Sequence, residues 1–123
     1  MANLINKENY GYTPLEIKTG TFTADYTEGA GSYFNVQQIG NVVYLNGYTS
    51  IGTSWADLTG QNLGTISGVD APSRLKIIPI MTGDGTNVHA GYASILEASG
   101  TTYIYVNADT SDSVMMIDAF YIV

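Results

Sequence analysis

The chain has 123 residues, eleven acids against four basic residues for a net charge of −7, and no cysteine. Nucleic-acid binding draws on Lys and Arg neutralising phosphates, and attraction to an anionic membrane draws on the same charges, so neither partner is expected. The absence of cysteine excludes disulfides, thiolate catalysis and sulfur-ligated zinc together.

This length suits one domain with a real core. Fourteen glycines and ten tyrosines, with many Thr and Ser, favour short strands and tight turns. No stretch of ten or more residues spaces its apolar positions as a helix does. The first fourteen residues, MANLINKENYGYTP, lack the apolar core and cleavage pattern of a signal peptide, so Sec-type export is not expected. No apolar run approaches the length of a membrane span.

In chain order, residues 1–19 form a polar, irregular leader with Leu4-Ile5 and Leu15-Ile17 as small apolar anchors. It reads as a flexible terminus or as a peptide that orders on a partner. Residues 20–123 make the folded unit. Thr21–Ala24 is a short first strand and Thr27–Ser32 a loop.

Tyr33 to Tyr48, YFNVQQIGNVVYLNGY, is a β-hairpin. Glycine first in the Gly40-Asn41 pair suits a two-residue type II′ turn, and that turn sets the register. Ile39 faces Val42, Gln37 faces Tyr44, Asn35 faces Asn46 and Tyr33 faces Tyr48. Alternation then gives Phe34, Val36, Val43 and Leu45 to the core, and a polar, aromatic face of Tyr33, Asn35, Gln37, Tyr44, Asn46 and Tyr48 to the other side.

A Gly-rich stretch with the single tryptophan, Trp55, follows. Leu63–Ile66 is a further strand, ended by the turn at Asp70–Ser73. Arg74–Met81 is a strand placed at an edge, or bulged, by Pro79, which cannot donate to a ladder. After the turn TGDGTN come two strands, His89–Leu96 and Thr102–Val106, joined by EASG with Gly100 at the positive-φ position. Tyr103 and Tyr105 share one face there, Ile104 and Val106 the other. The closing strand, Val114–Val123, is apolar on both sides, which places it centrally or against a partner subunit. Seven or eight short strands with frequent turn signals predict an all-β fold, an antiparallel, jelly-roll-like β-sandwich.

GNVVYLNG (Gly40–Gly47), LGTI, a proline-containing turn before LKIIPIMT, the hairpin GYASILEASGTTYIYV and the closing MMIDAFYIV occur in an order that resembles the C-terminal head modules of phage tail fibres and receptor-binding proteins. The chain departs from that pattern where Ile66–Pro72 replaces an "LP.GYRP" turn and where Met116-Ile117-Asp118-Ala119 replaces a Leu-Asp-Gly sequence. The resemblance implies a homotrimeric virion-surface module that contacts bacterial surface glycans, and it carries over no catalytic residue. A fibre head normally follows a long shaft. The expectation here is therefore either an excised head or a stand-alone virion component, such as a capsid decoration or head-fibre protein, docked on other virion proteins through residues 1–19.

Sites for neutral sugars pair an aromatic platform with Asp, Asn, Gln or Arg for the hydroxyls. Trp55, with Asp57 two residues on, is the first candidate; its alternative is to plug one end of the fold. Asp84, Asn87 and His89 form a second candidate cluster, set against a plain solvated turn. Tyr33, Tyr44 and Tyr48 could contact sugar, although a subunit interface explains them more economically. Asn107, Asp109 and Asp112 could offer oxygens to Ca²⁺, but the EF-hand pattern is missing and a polar turn suffices. Arg74 and Lys76 read as local charge balance. Asp118 stands in an apolar strand and needs a rim position, a subunit contact or a hydrogen bond. With one histidine and no nucleophile elbow, no catalysis and no cofactor are expected. Adhesion to host carbohydrate is the leading function, and a structural virion role the alternative.

Overall fold

The computed structural model describes residues 16–51, 61–107 and 112–123. These residues form eight strands: β1 (Ile17–Ala24), β2 (Tyr33–Ile39), β3 (Val42–Ser50), β4 (Gln61–Ser67), β5 (Lys76–Gly83), β6 (Val88–Ala98), β7 (Thr101–Asn107) and β8 (Val114–Ile122). Among the described residues no helix is long and apolar enough to cross a membrane. β1 begins at Ile17, so the last residues of the expected leader, Ile17–Thr19, are strand and pair with Gln37–Ile39 of β2.

The all-β, antiparallel class agrees with the sequence. The sandwich does not. The strands close into a single barrel in the order β1-β2-β3-β8-β5-β6-β7-β4. The correction has a local cause. β1 pairs with β2 through Ile17–Gly20, then bends and pairs with β4 through Thr21–Ala24. That second ladder joins what would have been two free edges. In/out alternation is the same in a sandwich and in a small barrel, so periodicity could not separate them.

Strand by strand, burial alternates as a pleated sheet requires. Val36, Val43, Leu45, Leu63, Ile95, Ile104, Val106, Met115 and Ile117 point inward and are buried. Phe22 and Phe34 stack across β1 and β2, their ring centroids 4.2 Å apart. An eight-stranded barrel has an interior just wide enough for its own side chains, and this one is filled.

The β2–β3 hairpin has the register read from sequence, from Ile39↔Val42 out to Tyr33↔Tyr48. Gly40 has φ of 60° while Asn41 is not among the positive-φ residues, as a type II′ turn requires. The β6–β7 turn uses Ser99 (φ 53°) and Gly100 (φ 84°), both in the left-handed region that a type I′ turn demands. Pro79 behaves as an edge residue. β5 pairs with β6 along its whole length, but its ladder to β8 covers only Met81–Gly83 and stops short of the proline.

One barrel end is closed by the segment between β4 and β5. Gln38, inward-facing and buried, donates to Gly40 O (2.8 Å) and to the Asp70 carboxylate (2.9 Å), and accepts from Asp70 N (2.8 Å). Lys18 pairs with Asp70 at 3.3 Å, and Tyr121 donates to Asp70 O at 2.8 Å. A buried amide thus has its donors and acceptor satisfied by the crossing segment and the β2–β3 turn. The opposite end holds Asp112, fully buried, which accepts from Thr82 Oγ1 (2.5 Å) and bonds His89 Nδ1 (2.9 Å).

Candidate carbohydrate-binding face

The register of three adjacent strands writes a grid on the outside of the barrel. β3 is bonded to β2 on one side and to β8 on the other. One row across these strands is therefore Asn35, Asn46 and Asp118. The rows beside it are Gln37, Tyr44 and Phe120, and Tyr33, Tyr48 and Met116. A line of two amides and a carboxylate runs between aromatic side chains. Amides both donate and accept, and a carboxylate accepts, so the row can address several hydroxyls at once.

Tyr44 ties the rows together. Its hydroxyl donates to Asp118 Oδ1. That hydrogen bond is the main reason the phenol is held protonated above its ordinary range, followed by partial desolvation and the neighbouring negative charge. The bond also ties the side chain to β8, and Tyr44 is 43% exposed. Asp118 meets the expectation of a partner, but the partner is this hydroxyl on the outer surface rather than backbone.

The grid borders a groove of about 520 Å³ lined by Thr19, Gly20, Asn35, Gln37, Tyr44 and Asn46, with Phe34 and Val36 at its base. Its origin is the bend of β1. Past Gly20 the strand leaves β2 for β4, so β2 from Asn35 to Tyr33 has no β1 neighbour. Gly20 permits the bend by close approach: a Cβ there would meet Ser67 O at 2.7 Å and Val36 Cγ1 at 2.8 Å.

Trp55 and Asp57 lie outside the described residues. Asp84 and Asn87 are brought together, but on each other: Asp84 Oδ1 accepts from Thr86 N (2.8 Å) and Asn87 N (2.7 Å), and the Asn87 amide approaches Oδ2 at 3.3 Å. These backbone donors, that of Asn87 foremost, hold the Asp84 carboxyl below its usual range. His89, one strand position beyond, turns to Asp112 instead. Asp84 and Asn87 thus take part in a turn, and His89 in a tether to Asp112. Tyr33 is exposed and Tyr48 half-buried, side by side in one register pair. Asp109 falls outside the described residues, and among those described no three His, Asp or Glu side chains gather as a metal site would need. The sequence reading missed Asp118 and Asn46 as neighbours. Their juxtaposition depends on β3 pairing with β8, strands far apart in sequence.

Comparison of the chain with profiles of known protein families, with curated proteins and with solved structures found no match.

Proposed function

We propose that this chain is a non-catalytic module that binds cell-surface carbohydrate through the outer face of β2, β3 and β8, and that it does so at the surface of a phage particle. The virion setting rests on the sequence resemblance. The binding face rests on one observation: a row of Asn35, Asn46 and Asp118 beside the exposed ring of Tyr44, bordering an open groove. Sugars present hydroxyls at their edges and an apolar C–H face, and this row and ring address both. The barrel interior is packed with its own side chains, which directs ligand recognition to the exterior.

The test is binding of fluorescently labelled protein to intact bacteria, competed with purified cell-wall polysaccharide. Tyr44→Ala is expected to weaken saturable binding about tenfold, the loss of roughly 1.4 kcal/mol from one ring contact and one hydroxyl. Asn46→Ala should act in the same direction and leave the circular dichroism spectrum unchanged. Folded protein that binds neither cells nor polysaccharide would overturn the reading and favour the structural virion role docked through residues 1–19.

A further inference from the structure

A different part of the surface carries a different chemistry. Around the barrel from the polar rows, the outer face of β8, β5 and β6 exposes Met116 (50%), Met81 (43%), Ile77 (62%), Tyr92 (44%), Val88 (61%) and Phe120 (54%). Register places Met81 beside Met116, Pro79 beside Tyr92 and Gly83 beside Val88, while Phe120 stands further along β8, opposite Tyr44. Because β5 and β8 part beyond Met81, the face is furrowed as well as apolar. A hollow of about 240 Å³ lies between Pro79, Met81, Met116 and Asp118, and a second of about 170 Å³ lies between Met81, Val88, Val114 and Met116.

We propose that this face is a self-association surface on which a second copy of the chain docks antiparallel, about a two-fold axis near the middle of β5. Two observations choose that occupant. The first is area. Side chains of this size expose on the order of 200 Å² when bare, so the six exposed fractions amount to on the order of 600 Å². That is close to the ~800 Å² per partner of a standard interface and reaches the upper limit of the patch an ordinary monomer leaves open. The second is charge. Arg74, exposed, stands two residues before β5, and Asp84 stands in the turn at its end, about 33 Å away along the strand direction. Antiparallel docking sets Arg74 of one copy against Asp84 of the other, twice. Any arrangement with the two β5 strands parallel sets like charges together. An isologous pair of this kind departs from the three-fold assembly implied by the sequence resemblance. It does not rest on the carbohydrate reading, although the two faces meet along β8, whose Met116, Asp118 and Phe120 stand in the rows of the polar grid.

Light scattering on the intact chain is expected to give twice the 13.2 kDa chain mass. Ile77→Asp and Met116→Asp, both at exposed positions, should each yield a monomer with an unchanged circular dichroism spectrum. The chain has no cysteine, so engineered thiols report orientation cleanly. Under mild oxidant, a Leu75→Cys chain mixed with a Thr86→Cys chain should cross-link to each other, and the Leu75→Cys chain alone should not. A single-chain or three-chain mass, a dimer indifferent to both aspartate variants, or cross-linking of Leu75→Cys with itself would each overturn the proposal.

Discussion

Closure of the barrel depends on how closely β1 can approach β4, and Gly64 is where that approach is tested. A Cβ at Gly64 would sit 2.2 Å from Thr23 O and 2.8 Å from a ring carbon of Phe22, and the residue holds φ at 156°. The ladder to β7 shifts register between Asn62 and Gly64, a bulge that turns β4 towards β1. Gly64→Ala therefore incurs two costs. Overpacking against backbone costs about 1–3 kcal/mol, and holding alanine at this φ costs about 1–3 kcal/mol more. A combined loss of about 4 kcal/mol is a large part of a typical 5–15 kcal/mol stability. Gly31 supplies the control: its φ is 82°, and a Cβ there would meet nothing within 4 Å. Gly31→Ala carries the backbone cost alone. Urea unfolding followed by circular dichroism should place Gly64→Ala about 1–3 kcal/mol below Gly31→Ala. Amide exchange in Thr21–Ala24 should also accelerate selectively. Equal losses in the two variants would mean that the β1–β4 approach does not limit stability, and the account of closure would fail.

Three further outcomes follow from the two barrel ends. The Asp70 carboxyl is held low, first by the Gln38 amide and then by Lys18, and that of Asp84 by backbone donors. A depressed carboxyl stabilises the fold above its unfolded value, and that contribution is lost as pH falls below 3.8 towards the folded value. Asp70→Asn should accordingly flatten the acid limb of a stability–pH curve; an unchanged slope would remove Asp70 from the account. Tyr121 is pushed up to about 12, by burial first and the Asp70 charge second. Its contribution is complete below 10.0 and disappears as pH climbs from there through about 12. Tyr121→Phe should abolish that alkaline loss while costing about 1 kcal/mol at neutral pH for the bond to Asp70 O, checked by urea titration at both pH values. At the other end, His89→Ala leaves the buried Asp112 carboxylate with one partner fewer and should cost about 1–3 kcal/mol. A shift in the urea midpoint worth less than about 0.5 kcal/mol would show the tether to be dispensable.

What could be read from the sequence was what is encoded within a few residues. Gly40-Asn41 dictated both turn type and register, so the polar and core faces of β2 and β3 followed without knowledge of any other strand. Pro79 announced an interrupted ladder, although not which neighbour it would lose. Closure was not legible, because it is decided by β1 changing partners at Gly20 and by the bulge at Gly64. In the sequence these glycines look like the other twelve. Gln38 was hidden for a related reason. It occupies a core-facing position that a polar residue should avoid, and only the crossing segment at Asp70 explains it. The Asp84–His89 run spans a turn and the start of β6, and its members take separate hydrogen-bond partners. His89 reaches Asp112 while Asp84 caps its own turn.

The two interrupted ladders also explain why this small barrel has two unlike outer faces. A fully paired eight-stranded barrel presents a smooth convex surface, poorly shaped to hold anything. Here β1 deserts β2 at Gly20 and β5 deserts β8 at Pro79, and each parting opens a depression on the outside. The first lies beside amides and a tethered tyrosine; the second lies between two methionines and Pro79, with Asp118 at its edge. β8 stands between them: Asp118 lies in the polar row beside the first and, with Met116, lines the second. Its alternating outer residues therefore serve two surfaces at once. A charge placed at Ile77 should disturb assembly and leave the polar rows intact, while Asn46→Ala should do the reverse. If either change altered both properties equally, the two faces would be one site, and the division of labour argued here would be wrong.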